Sequence, residues 1–128
     1  MDTHPRCVLL AEPHHGLAEG VRALLASVAD AVVMVADRAS LFEAAGRLAP
    51  ALAVVELGLG KPDVGSFLQG LRARCPGLPV IFISVYDETT VAQSVIAAGA
   101  DAFVVKRDLG TKLLPQVEGL LRSPRCRA

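Results

Sequence analysis

The chain has 128 residues, enough for one domain that buries roughly two-thirds of its unfolded surface. Apolar residues make up 52% of it, charged residues 20%, and 13 basic side chains balance 13 acidic ones. That composition describes a globular protein and excludes the basic excess of a nucleic-acid-binding face. No apolar run approaches a membrane span, and the opening Met1–Arg6 has no signal-peptide pattern. Cys7, Cys75 and Cys126 are far apart and form no Cys-x-x-Cys pair. Neither a disulfide framework nor a thiolate metal site is expected, and a reducing cytoplasm is the expected location. Residues 1–6 read as an N-terminal tail, 7–122 as the domain and 123–128 as a basic C-terminal tail. The chain ends just after its last expected helix, so no output domain is expected within it.

In chain order, Cys7–Ala11 predicts a buried strand ending at Glu12-Pro13. Leu17, Val21, Leu24, Leu25 and Val28 then recur as the stripe of a helix packed on one face. Ala31–Ala36 predicts a second strand. Asp37 or Ser40 caps the next helix, Ser40-x-x-Glu43 matches a capping box, and Pro50 lies beyond its end. The run Ala51–Glu56 has no alternating polarity, so it predicts a central parallel strand buried on both faces. A helix over residues 64 to about 74 carries Phe67, Leu68 and Leu71 and closes at Pro76-Gly77. Pro79–Ser84 is the fourth strand. Asp87 or Thr89 can cap a helix that buries Val91, Val95 and Ile96 and stops at Gly99. Ala102–Val105 is the fifth strand and delivers Lys106. The last helix begins near Thr111, holds Pro115 in or beside its first turn, and buries Leu114, Val117, Leu120 and Leu121.

Strands alternating with helices at short spacing predict a parallel sheet with helices on both faces and right-handed crossovers. Five such units predict an α/β, flavodoxin-like, doubly wound fold. All strand ends then share one rim, which brings Glu12, Glu56, Ser84 and Lys106 together where open α/β sheets place their working residues.

With these residues in place, the chain resembles a response-regulator receiver domain from Val8 to about Leu121. The opening Val8-Leu9-Leu10-Ala11-Glu12-Pro13-His14-His15-Gly16-Leu17 resembles receivers that precede helix-turn-helix output domains. The resemblance implies that Glu12-Pro13 stand at the acidic pair and Glu56 at the phosphoacceptor aspartate. It likewise implies that Ser84 is the hydroxyl residue, Phe103 the switch aromatic and Lys106 the phosphate-contacting lysine that ends the fifth strand.

The family's chemistry needs Mg²⁺ between the acidic pair and the acceptor, with near-octahedral oxygen ligands at about 2.1 Å. Pro13 has no side-chain oxygen, and its position matches the more direct ligand of the pair. Glu56 carries its carboxylate roughly 1.5 Å further out than an aspartate, and in-line attack tolerates little misplacement. Val85 replaces a residue that is often small and leaves the acceptor open. The loop Leu57–Val64 is one residue longer than usual and lacks the family's proline four residues after the acceptor. No cofactor is therefore expected, with Mg²⁺ binding weak or absent and Glu12 and Glu56 the weak metal candidates. Glu56 is expected to pair with Lys106 and hold one conformation; the bland alternative is a strand-end salt bridge worth little.

Other signals carry less. His14-His15 are adjacent, without a partner at helical spacing, and read as solvated residues at a helix start rather than metal ligands. Ser84 lacks a Gly-x-Ser-x-Gly elbow. Gly58-Leu59-Gly60-Lys61-Pro62-Asp63 completes neither a dinucleotide fingerprint nor a phosphate loop. The expected function is a phosphorylation-independent receiver, not an enzyme, that binds a protein partner. That partner is a histidine kinase, another signalling protein or a second copy of the chain. The expected surface is the face of the fourth helix, fifth strand and fifth helix, including Gln93, Arg107 and Glu118. The alternatives are a working phosphoreceiver using Glu56 or another residue, and a small metal-dependent hydrolase built on Glu12, His14, Glu56 and Ser84.

Overall fold

The computed structural model describes residues 6–122. Its elements run β1 (Cys7–Ala11), α1 (His15–Leu25), β2 (Ala31–Val35), α2 (Arg38–Leu48), β3 (Leu52–Glu56), α3 (Val64–Arg74), β4 (Val80–Ser84), α4 (Thr89–Ala97), β5 (Ala102–Val105) and α5 (Leu109–Arg122). Short 3-10 turns follow β3 at Leu57–Gly60 and β5 at Lys106–Asp108. The five strands are parallel in the order β2-β1-β3-β4-β5. That is the doubly wound, flavodoxin-like order expected of five strand–helix units.

Because successive side chains of a strand point to opposite faces, each buried strand feeds two cores. Leu9, Ala11, Ala53, Val55, Val80 and Phe82 meet Leu41 of α2, Phe67 of α3 and Val95 of α4. Val8, Leu10, Leu52, Val54, Ile81 and Ile83 meet Val21 of α1 and Leu113 and Val117 of α5. β3 and β4 lie inside the sheet and are nearly solvent-free, which is why each is a continuous apolar run, rather than an alternating one, up to the polar residue that ends it, Glu56 and Ser84.

Several local expectations are corrected. Asp37 caps α2, its carboxylate accepting from the Ser40 N–H at 2.8 Å. Ser40 therefore sits inside the first turn and the Ser40–Glu43 capping box does not form. Neither Asp87 nor Thr89 caps α4: Glu88 occupies that position without a side-chain bond, Asp87 pairs with Arg107, and Thr89 is already helical. Ile96 is 45% exposed, since the buried stripe of α4 runs through Val95 and a following residue turns about 100° away. α5 starts at Leu109, two residues before the predicted start. Its buried stripe is Leu109, Leu113 and Val117, at i, i+4 and i+8, and Leu114 is only half-buried. Pro115 lies within the helix on its exposed side. α1 ends at Leu25, so Val28 packs from the following loop.

Arg6, expected in the tail, is tied to the fold: its N–H donates to Asp30 Oδ2 at 2.7 Å and its carbonyl accepts from Asp30 and Ala31. The rest of the expected tails, with Cys126, lies outside the described residues. Cys7 is a free thiol, and the buried Cys75 thiol donates to the Pro50 carbonyl at 3.9 Å. Among the described residues no helix is long and apolar enough to cross a membrane.

Candidate functional site at the strand-end rim

Strand register sets the rim. Ala11 pairs with Val55, so the next residues, Glu12 and Glu56, leave adjacent strands at one level. Ser84 pairs with Val105, and Lys106 follows on the far side of β4. The topology alone thus gathers two carboxylates, a hydroxyl and an ammonium from four strands.

Lys106 extends its ammonium back across the sheet, with Nζ 3.0 Å from Glu12 Oε1 and 3.7 Å from Glu56 Oε2. The Glu12 side chain is 2% exposed, Glu56 20% and Lys106 17%. The expected Glu56–Lys106 pair is therefore present but is the longer contact, and Glu12 is the close partner. The difference follows from where the second oxygen of each carboxylate is held. Glu12 Oε2 accepts from the His14 N–H at 3.0 Å. Glu56 Oε1 folds back to accept from the Gly58 N–H at 2.8 Å, which caps the 3-10 turn. Glu12 Oε1 accepts no hydrogen bond, so the ammonium meets it as an ion-pair contact outside hydrogen-bond angles.

Ser84 is buried, and its Oγ accepts from the Tyr86 N–H at 3.0 Å. The hydroxyl is thus turned into its own loop. Val85, expected to control access, is 68% exposed. Phe103 lies beside Phe82 across the β4–β5 ladder and is half-buried against the α2–α4 core. Pro13 is exposed. His14 is the N-cap of α1, where Nδ1 accepts from the Leu17 N–H at 3.1 Å, and this fixes it in a structural role. Among the described residues no group of three or more His, Cys, Asp or Glu gathers as a metal centre.

Two bridges across the loops had no signature in the sequence. Lys61 lies over the Tyr86 ring at 5.1 Å and joins the loop after β3 to the loop after β4. Arg107 reaches Asp87 at 2.6 Å and joins the β4 loop to the β5 loop. The hydrogen bond from Arg107, together with its charge, holds the Asp87 carboxyl below its ordinary range. Their partners are twenty or more residues apart in the chain, so spacing alone could not reveal them. The loop after β3 also contains a cis Lys61–Pro62 bond.

A doubly wound domain with carboxylates at the ends of its first and third strands and a lysine after its fifth has the layout of a phosphorelay receiver. The profile of the response regulator receiver domain matches residues 8–118, and the chain belongs to that family. It is 29% identical over 123 residues to a protein of Mycobacterium tuberculosis described as probable transcriptional regulatory protein TcrX. That alignment covers 94% of this chain and 52% of the relative, so the chain spans about half the length of the curated relative it matches. Among solved structures, it resembles a LuxR-family two-component response regulator from Aurantimonas, with a TM-score of 0.80 at 20% identity, covering 95% of this chain and 89% of that one. The BeF3-activated N-terminal receiver domain of Klebsiella pneumoniae RstA gives a TM-score of 0.78 at 20% identity, covering 92% and 100%. These likenesses establish the fold, and the family makes the chain a signalling module of two-component systems.

Proposed function

We propose that this receiver signals without being phosphorylated, as a protein-interaction module with a fixed rim. The observation that carries the reading is the Lys106 ammonium between Glu12 and Glu56. A negative group already stands at the acceptor position, and the lysine beside it is already paired. The donor set does not fit the Mg²⁺ that the family implies. Mg²⁺ is usually held through carboxylates with several retained waters, whereas here Pro13 offers no side-chain oxygen and both carboxylates face an ammonium. Mg²⁺ binding to the natural sequence is accordingly weak or absent, no cofactor is needed, and the domain has no enzymatic turnover.

The partner is a protein: a histidine kinase, another signalling protein or a second copy in a homodimer. The candidate surface is the α4–β5–α5 face, where Gln93, Arg107 and Glu118 are exposed. Nucleic acid is not a direct partner on charge grounds, and the wide spacing of the cysteines in the chain supports a reducing cytoplasm as the location.

The test is intact mass after incubation with Mg²⁺ and a small-molecule phosphodonor. The natural sequence is compared with Glu56→Asp and with Glu56→Asp combined with Pro13→Asp. The expected result is no mass gain in the natural sequence and a phosphoryl adduct only when both positions are restored. An adduct on the natural sequence would replace this reading with that of a working phosphoreceiver.

A further inference from the structure

We propose that the β2 edge of the sheet pairs antiparallel with the β2 edge of a second copy, so that one continuous sheet runs through both. The proposal is independent of the function argued above and leaves the α4–β5–α5 face free for another protein. β2 is an edge strand, paired only with β1. The ladder settles which of its backbone groups are used. The Ala31 N–H donates to the Arg6 carbonyl and the Val35 carbonyl accepts from the Glu12 N–H, so Ala31, Val33 and Val35 face β1. By alternation, Val32 and Met34 turn their N–H and C=O groups outward. No other described residue bonds to those groups.

Sheet edges are usually guarded by a charge, a proline, a bulge or a covering segment. β2 carries no charge and no proline, and its register with β1 runs without a bulge. Val32, Val33, Met34 and Val35 all stay partly exposed, whereas Val8, Leu9, Leu10 and Ala11 beside them on β1 are fully buried. The other edge, β5, is shorter, and Asp101 and Lys106 flank it directly. A second copy suits the β2 edge because the edge is complementary to itself. With a two-fold axis at Val33, Val32 of each copy exchanges N–H and C=O bonds with Met34 of the other, as opposed outward-facing residues of an antiparallel pair do. The ends match as well. Arg6 and Asp30 stand at one end of the edge, Asp37 and Arg38 at the other. The antiparallel arrangement sets the exposed Arg6 of one copy beside Asp37 of its partner, and symmetry repeats the contact. A parallel arrangement sets Asp30 beside Asp30 and Asp37 beside Asp37, and like charges directly opposite are destabilising.

The test follows the natural chain by sedimentation and by residue-resolved amide hydrogen exchange, from about 10 μM to about 1 mM. The expected result is a monomer–dimer equilibrium in which the Val32 and Met34 amides exchange at least about tenfold more slowly at the high concentration. The Ala31, Val33 and Val35 amides, already bonded to β1, are expected to gain less. Met34→Pro removes one outward N–H and leaves the bonds to β1 in place, at a position where an edge strand tolerates proline. It is expected to stay folded and to dimerise at least about tenfold more weakly. If Met34→Pro does not fold, exchange in the natural chain decides alone. A monomer at every concentration overturns the proposal. So does self-association that leaves Val32 and Met34 unprotected, which would put the contact on another face such as α4–β5–α5. Undiminished dimerisation of folded Met34→Pro overturns it as well.

Discussion

Glu12 and Glu56 look equivalent in the sequence, as acidic residues each closing an apolar run, yet they contribute unequally to the fold. Glu12 is nearly solvent-free and close to Lys106, while Glu56 is farther from the ammonium, more exposed, and bonded to its own loop. Removing one partner of a buried pair leaves the other charge uncompensated, which costs about 3 kcal/mol or more. Removing one member of a long, partly exposed pair costs about 1 kcal/mol or less. Glu12→Gln is therefore expected to lower unfolding stability by about 3 kcal/mol and Glu56→Gln by about 1 kcal/mol at most, read from urea titrations of both variants. Equal losses would mean that Lys106 divides itself evenly between the carboxylates. The sequence placed both glutamates and the lysine at one rim, but not which pair is close. That ranking depends on the Gly58 amide, whose position follows from the 3-10 turn after β3.

Among the elements, helix starts show how local chemistry competes with tertiary partners. Asp37, Asp63 and His14 each cap a helix by accepting a backbone N–H, and a side-chain acceptor at a helix start satisfies one of its orphan donors. Asp87, which has the same chemistry at the start of α4, is instead drawn to Arg107. For Asp37, the hydrogen bond from the Ser40 N–H lowers the carboxyl pKa below its ordinary 3.8. A depressed folded-state pKa means that the unfolded chain binds the proton more readily. The cap's stabilisation is then fully present above the ordinary value and is lost as the pH falls through the lower, folded one. Asp37→Ala is expected to melt below the natural protein near about pH 7, and that gap is expected to close as the pH drops below 3.8. A gap that persisted in acid would assign the loss to backbone propensity rather than to the charged cap.

For the whole molecule, the opposite edge of the sheet is held by Arg72. From α3 its guanidinium donates to the Leu78 carbonyl at 3.0 Å, the Gly99 carbonyl at 2.8 Å and Asp101 Oδ2 at 2.9 Å. Asp101 Oδ2 also accepts from the Val80 N–H at 2.9 Å. One side chain thus joins α3, the start of β4 and the turn before β5, and Gly99 permits that turn with a positive φ of 120°. Arg72→Met is expected to cost about 2 to 4 kcal/mol, because several charge-assisted bonds to partly buried groups are lost together. The exposed Arg22–Glu19 pair is the internal comparison: Arg22→Met is expected to cost about 0.5 kcal/mol or less. Both values can be read from the same denaturant series, and similar losses would show that Arg72 acts only as a surface charge.

The sequence by itself determined the order of elements, the parallel sheet and which residues end its strands along one rim. Those properties follow from periodicity and from the rule that parallel strands share one carboxyl edge, both of which are local or topological. It located the buried runs of β3 and β4 closely because a strand covered on both faces has no polar position to shift its register. The phase of the α5 stripe was less legible: apolar residues at 113, 114, 117, 120 and 121 support more than one face, and packing against α1 and the sheet selected Leu109, Leu113 and Val117. Tertiary structure alone decided that Lys106 lies nearer Glu12 than Glu56, that Asp87 binds Arg107, and that Arg72 holds three segments together. Each of those outcomes is a competition among polar partners distant in the chain, settled by differences of an ångström that appear only after the apolar layers have packed.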